Sequence, residues 1–250
     1  MVWHPRRYSW LLALAGLLLA WQAAALLVHD DVLPTPVAVA PVLVRQMTKG
    51  DLATHLLVSG YRVVLSVALA VGLAMPVGLV LGLNKTLNAI TSPVVYISYP
   101  IPKIVLLPVL LLFLGIGDTS KIAMIFLILF FQVLIVVRDA AQGVRPELVH
   151  SVRSLGAGPW HLLRYVFFPA TLPSALTALR VSTGTAIAVL FFVESFGTSS
   201  GLGYYILVES WGALRYREMY AGVVAMAFLG LAIYFLLDLL QRKVCAWVQL

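Results

Sequence analysis

The most constraining feature of this sequence is a series of long apolar segments that carry almost no charge. Six can be marked, at residues 10–28, 56–83, 100–116, 122–137, 173–196 and 220–240. A helix needs about 20 mainly apolar residues to cross the hydrocarbon layer of a bilayer. Backbone polar groups find no water in lipid, so segments of this kind cross it as helices. The sequence therefore predicts an all-α membrane protein with six transmembrane helices.

The composition excludes the main soluble classes. Charged residues make up 11% of the chain, whereas an average soluble domain has about 25%. The net charge of +7 does not indicate nucleic-acid binding, because the basic residues stand singly between apolar segments. No internal repeat or low-complexity linker divides the chain, so we predict a single transmembrane domain over residues 1–250.

The first apolar segment is interpreted as a span and not as a signal peptide. The basic start at residues 1–7 resembles a signal peptide, but the apolar run behind it is too long and no cleavage site follows it. The histidines are scattered and Cys245 is the single cysteine. Because no metal-ligand spacing occurs, we expect no metal site.

The distribution of Lys and Arg predicts the orientation of the chain. With the N-terminus inside, nine basic residues fall in cytoplasmic segments and five in external ones, and the external ones include Lys121. Cytoplasmic loops carry an excess of Lys and Arg, so both termini are predicted to be cytoplasmic. The external residues 36–47 have helical apolar spacing, which fits either a surface helix or an ordinary packed loop.

The longest polar interruption, residues 138–169, is predicted to lie on the cytoplasmic side. Pro146 suits the first turn of a helix, and Gly156 and Gly158 allow a tight corner. Pro159 is expected to open a second short helix, which Pro169 closes. The residues alone fit either a docking surface for a partner protein or a basic stretch that rests on lipid headgroups.

This segment resembles the cytoplasmic loop of ATP-driven (ABC) importer permeases. Their pattern is Glu-Ala-Ala, three residues, Gly, nine residues, then Ile-x-Leu-Pro. Here the pattern aligns on Gly156, and Val166-Phe167-Phe168-Pro169 stands at the matching distance. The sequence departs at the acidic position, which holds His150, while Glu147 lies one helical turn earlier.

Further stretches narrow the resemblance to the nitrate, sulfonate, taurine and bicarbonate permeases. They are Pro100-Ile101-Pro102 with Leu107-Pro108, Gly115-Ile116-Gly117 with Ser120-Lys121-Ile122, Ser154-Leu155-Gly156-Ala157, Phe168-Pro169-Ala170-Thr171-Leu172-Pro173, and Ser200-Gly201-Leu202-Gly203-Tyr204. They occur in the family's order and cover nearly the whole chain.

The resemblance implies the type I importer permease fold, in the cytoplasmic (inner) membrane of a bacterium. It also implies a second copy of the chain, two cytoplasmic ATPase subunits, and an external binding protein that delivers a small, anionic solute. No Walker-type phosphate loop occurs in this sequence, so we expect no enzyme activity and no cofactor here, with ATP and Mg bound by the partner ATPase. The solute itself, and a homodimeric or heterodimeric permease pair, stay open.

Two sets of site residues follow. The coupling contacts to the ATPase are expected at Glu147, His150, Ser151, Ser154, Leu155, Gly156, Ala157, Gly158 and Trp160. The candidates for the translocation path are three charges in or beside spans, Arg62, Lys103 and Glu194, because charge facing lipid is costly. Glu194 fits a gate or the outer headgroup level, and Lys103 fits the conduit or a position snorkelling to the interface. Gln132 is expected to make an interhelical hydrogen bond.

Two other classes are weighed against the importer. A carrier driven by an ion gradient often shows repeated halves, which this sequence lacks. An intramembrane enzyme needs paired acids or a serine–histidine pair within its spans, and neither Ser66 nor Ser98 has a histidine nearby in the sequence.

Overall fold

The computed structural model describes residues 6–28, 30–98 and 100–248, so most of the basic start and His29 lie outside the described residues. Within these ranges the regular structure is helical and contains no strand. The elements in chain order are α1 (Arg6–Val28), α2 (Pro36–Lys49), α3 (Leu52–Leu83), α4 (Lys85–Ser98), a 3-10 turn (Lys103–Leu106), α5 (Leu107–Leu114), α6 (Asp118–Gln142), α7 (Pro146–Ser154), α8 (Pro159–Leu162), a π segment (Leu163–Phe167), α9 (Phe168–Glu194), α10 (Leu202–Tyr204), a second π segment (Tyr205–Trp211), α11 (Tyr216–Val244) and a 3-10 turn (Ala246–Val248).

Five continuous helical stretches are long and apolar enough to cross a membrane. They are Leu11–Val28, Leu52–Leu83, Asp118–Gln142, Pro159–Glu194 and Tyr216–Val244. A sixth span is completed only if α4 and the helical stretch Lys103–Leu114, which are bent by 84° against each other, are counted as one. The expected all-α membrane fold is confirmed, with one span broken.

The broken span corrects the third predicted segment, residues 100–116. There the continuous α-helix is only the eight residues of α5, and α4 before it lies outside the predicted spans. Pro100 and Pro102 have no N–H to donate, and Pro102 has an extended backbone with a ψ of 97°, so the helix is interrupted here. The apolar run therefore begins in the middle of the bent pair and not at its start.

Helix α6 forms the centre of the bundle, packed between α3 and α9. Glycines of α3 allow the close approach, since a Cβ at Gly78 would lie 2.9 Å from the Cβ of Val137. A Cβ at Gly82 would lie 2.6 Å from that of Ala141. Small residues at such contacts are typical of helix packing in membranes.

A second correction concerns Pro169, which was expected to end the second short helix. The helix instead continues from Pro159 to Glu194 through the π segment. Pro169 has no N–H, so a carbonyl one turn earlier lacks its usual donor. A π segment shifts the hydrogen bonds to the residue five positions on, and this wider turn lets the helix continue past the proline. The continuous stretch is 36 residues, or roughly 54 Å, so it extends well beyond a bilayer core of about 30 Å.

Residues 36–49 form the helix that the apolar spacing allowed, α2. Thr35 caps its first turn by accepting a hydrogen bond from Ala38 N at 3.3 Å. Val39 is buried in a cluster with Leu202, Tyr205 and Ala225. This cluster joins α2 to α11 at the end of the bundle opposite the α7–α8 corner.

Candidate functional site

The turn after α7 is built on the backbone conformation of Gly156. Its φ is +84°, in the left-handed region that favours glycine. Gly156 N donates to Arg153 O at 2.9 Å, and Ala157 N donates to Val152 O at 3.4 Å. This pair of bonds is the Schellman arrangement, which satisfies the last carbonyls of a helix. We call residues 146–160 the corner segment.

The corner segment exposes two large apolar side chains to solvent. Leu155 is 86% exposed and Trp160 is 69% exposed, on either side of the glycine. Glu147, His150, Ser151 and Ser154 are also exposed on α7, whereas Ala157 and Gly158 are half-buried.

The two serines of α7 bond within their own helix. The Ser151 hydroxyl donates to Glu147 O at 2.8 Å, and the Ser154 hydroxyl donates to Ser151 O at 2.9 Å. The nine predicted coupling residues therefore lie together on one corner of the chain, where Leu155 and Trp160 are the most exposed of the large apolar side chains.

Arg62 and Glu194, two candidates for the translocation path, are buried against each other. The Arg62 guanidinium donates to the Glu194 carboxylate at 2.6 Å and to Asp118 at 2.6 Å and 2.9 Å. Ser59 donates to both Glu194 oxygens, at 2.9 Å and 2.8 Å. We call these four residues the Arg62 cluster. Arg62 is 2% exposed and Glu194 is fully enclosed.

The Arg62 cluster also holds the loop before α10. Leu202 N donates to the Ser59 hydroxyl at 2.8 Å, and Gly203 N donates to Glu194 at 3.1 Å. Gly201, at φ +109°, lies so close that a Cβ there would collide with the Glu194 carboxylate and the Arg62 guanidinium. The carboxylate thus contacts its own chain, and Glu194 is not at an exposed headgroup position.

Next to this cluster, His55 joins the same loop to the second π segment. Gly201 N donates to His55 Nδ1 at 3.0 Å, and His55 Nε2 lies 3.3 Å from the Glu209 carboxylate. The Tyr205 ring packs on the imidazole with 5.5 Å between centroids. Burial raises the pKa of Tyr205 to about 12, so the phenol stays neutral at ordinary pH.

Sequence reasoning missed this network, although a signal was present. His55, Ser59, Arg62 and Ser66 follow one face of α3 at intervals of three and four residues, and all four are buried. A polar stripe at helical spacing within an apolar span predicts a polar contact inside the protein. Its partners could not be read from α3 alone.

Two further charges are corrected by the structure. Lys121, counted as an external loop residue, lies in α6 and is fully buried, where it donates to Gly117 O at 3.0 Å and to Gly197 O at 3.1 Å. Arg138, taken as the first residue of the polar loop, lies in α6 and bonds Asp139 at 2.8 Å. Because both charges have partners within the protein, the helix extends past them.

Lys103 lies in the broken span and is half-buried. Its ammonium donates to Ser98 O at 3.1 Å and lies 4.7 Å from the centroid of the Phe131 ring. Beside that ring, Gln132 Oε1 is buried without a hydrogen-bond partner among the described residues. This oxygen does not make the interhelical bond that the sequence predicts.

The comparisons with known proteins agree with this architecture. Residues 74–248 match the family described as "Binding-protein-dependent transport system inner membrane component". The chain is 30% identical to the taurine transport system permease protein TauC of Escherichia coli, over 98% of this chain and 95% of that protein. It is 32% identical to the putative aliphatic sulfonates transport permease protein SsuC of Bacillus subtilis, over 97% and 89%.

A solved structure shares the fold. A chain of the MetNI methionine ABC transporter, in inward-facing conformations, has a TM-score of 0.63 to this one at 23% sequence identity, covering 77% of this chain and 95% of that chain. The helical bundle with its projecting corner is therefore the type I importer permease fold.

Fold and matches together define a membrane permease subunit of an ATP-driven importer, a transport component and not an enzyme. The chain belongs to the family of binding-protein-dependent transport system inner membrane components. Membership implies a multi-pass inner-membrane protein that works with a second permease subunit, an ATPase and a binding protein.

Proposed function

We propose that this chain forms the translocation path for a small sulfonate or similar organic anion, as half of a homodimer. Two similar relatives are named for taurine and for aliphatic sulfonates, which supports this class of solute. An external binding protein delivers the solute, and two ATPase subunits on the cytoplasmic side hold ATP and Mg. The three charges proposed from the sequence divide into two groups: Lys103 borders the path, while Arg62 and Glu194 fix the outer loop.

The corner segment is proposed as the docking surface for the ATPase. The observation that carries this is Leu155, which is 86% exposed on a turn that its neighbouring glycine holds in a left-handed conformation. An apolar side chain fixed at the tip of a rigid corner is suited to anchor in a pocket of a partner. Trp160, 69% exposed, supplies a second apolar anchor.

The proposed docking surface also implies an orientation of the chain in the membrane. The ATPase binds in the cytoplasm, so the end of the bundle that carries the corner segment is cytoplasmic. The start of helix α1 and the end of helix α11 then lie on the cytoplasmic side. This agrees with the excess of Lys and Arg that predicts both termini inside.

Replacement of Leu155 by aspartate tests this proposal. Burial of a leucine side chain stabilises a contact by about 1.5–3 kcal/mol, so Leu155→Asp should weaken co-purification with the ATPase by about tenfold or more. The matched control is Leu214→Asp, because Leu214 is 69% exposed at the opposite end of the bundle. Equal retention of the ATPase by both variants would show that the corner is not the docking surface.

A further inference from the structure

The break between α4 and the Lys103–Leu106 turn has an unusual environment for a membrane span. Residues 100–102 are exposed, and two of the three are prolines that offer no N–H group. Irregular backbone at membrane depth is tolerated where other protein covers it or where it lines a water-filled cavity. Discontinuous helices of this kind form the substrate sites of several transporter folds.

The depth of Lys103 follows from its contact with Phe131 of α6. Phe131 lies about 20 Å along the helix from Asp118 and about 17 Å from Gln142, at 1.5 Å per residue. The Lys103 ammonium, 4.7 Å from the centre of that ring, is therefore near the middle of a membrane-spanning helix. An ammonium at this depth costs several kcal/mol against lipid, and it marks a solute or ion pathway more often than a structural position.

A cavity opens at this point in the bundle. It is lined by Ile101, Lys103, Ile104, Ile128, Phe131 and Gln132. Its volume is about 360 Å³, at the lower end of the 300–1,000 Å³ typical of small-molecule sites. We call it the Lys103 cavity.

The polar groups of the Lys103 cavity have complementary requirements. Lys103 brings the positive charge of its ammonium, which donates to Ser98 O. Gln132 brings a buried carbonyl oxygen that accepts no hydrogen bond from the described residues. A buried acceptor left unpaired costs about 1–3 kcal/mol, which a donor from a ligand would recover. The remaining walls are apolar and suit a short carbon chain.

We propose that the Lys103 cavity is the site where the solute rests within the membrane, and that it takes a small organic solute with an anionic group at one end and a hydrogen-bond donor at the other. The anionic group binds the Lys103 ammonium, and the donor reaches Gln132 Oε1. An aminosulfonate has this combination of groups. The inference rests on the proposed function, since it locates and specifies the solute of that transport path.

Thiol labelling measures the electrostatics of the cavity without requiring knowledge of the native solute. Ile101 lines the cavity and is 51% exposed, so Ile101→Cys is made in a Cys245→Ala background, in the complete complex in membrane vesicles. Two reagents of similar size are compared, the anionic sulfonatoethyl and the cationic trimethylammonioethyl methanethiosulfonate. Each reagent's labelling rate at position 101 is divided by its rate with a free thiol in solution. With Lys103 present, this normalised rate should be higher for the anionic reagent than for the cationic one.

Removing the ammonium should abolish this preference. Lys103→Gln is expected to lower the ratio of anionic to cationic labelling rates by about tenfold, because a unit charge beside the thiol attracts the anionic reagent and repels the cationic one. Lys103→Arg should retain most of the ratio. Lys85→Gln, which removes the same charge from the far end of α4, should leave the ratio unchanged.

Protection by ligands tests the part played by Gln132. Taurine should slow labelling, and Gln132→Leu should remove protection by taurine while leaving protection by methanesulfonate, which has no donor. A thiol at position 101 that reacts with neither reagent, or a labelling ratio that ignores Lys103, would overturn the inference. These results leave the proposed function standing, whereas failure of the unmodified chain to retain the ATPase would refute that function separately.

Discussion

The conformation of Gly156 gives the sharpest test of how the corner segment works. Its φ of +84° is one that a residue with a side chain adopts at a cost of about 1–2 kcal/mol. A Cβ at this position meets no atom of the chain within 4 Å. Gly156→Ala should therefore leave the bundle folded and disturb only the path of the corner.

The expected loss of affinity follows from this strain. If the corner must keep its left-handed turn to dock, the strain of about 1–2 kcal/mol weakens ATPase binding by about 5- to 30-fold. Gly156→Leu adds a bulky side chain at the contact, and overpacking costs a further 1–3 kcal/mol or so. This variant should insert into the membrane normally, lose its ATPase and abolish uptake.

The assay is titration of the purified variants, in lipid nanodiscs, with the ATPase subunit, together with thermal unfolding to confirm the fold. Gly143→Ala is the matched control, since Gly143 has an ordinary φ of −78° and its nearest contact would be at 3.4 Å. Unchanged affinity for Gly156→Leu would refute the reasoning, because neither the strained turn nor the contact would then matter for docking.

Two further predictions concern single side chains. Glu194→Gln leaves the buried Arg62 without its enclosed carboxylate, so the free energy of unfolding should fall by about 3–5 kcal/mol, as measured by thermal unfolding. The control Glu218→Gln, which removes a pair with the exposed Arg45, should cost at most about 1 kcal/mol. Equal stability of the two variants would contradict a structural role for the Arg62 cluster. His150→Glu places the family's acidic residue on the exposed face of α7, so ATPase retention and uptake should be kept, and a loss of either would show that His150 makes a contact that glutamate cannot replace.

The sequence was sufficient for the helical bundle and for the corner segment. Apolar length identifies spans because lipid enforces helices, and the glycine and proline positions around Gly156 act through local backbone geometry. Both features depend on neighbouring residues only, so they can be predicted without knowledge of the tertiary structure.

Two of the corrected features, Lys121 and the Arg62–Glu194 pair, depend on partners that are distant in the sequence. Lys121 was counted as an external loop residue, whereas it is buried in α6 and donates to the carbonyl of Gly197, which another part of the chain contributes. Arg62 and Glu194 were each interpreted as a charge that is costly to place against lipid, whereas they form an ion pair that buries both side chains inside the protein. Pro169 was read as a helix end, although the π segment before it lets the helix continue. Spacing alone does not contain these pairings.

The central claim is that this chain transports an organic anion by means of an ATPase that binds its corner segment. The most direct test is uptake of radiolabelled taurine by proteoliposomes that contain the permease, its ATPase and its binding protein. We expect uptake that requires ATP on the ATPase side and the loaded binding protein, that persists with ionophores present, and that is lost in Leu155→Asp. Uptake of taurine by the permease alone, driven by a proton or sodium gradient, would contradict the account.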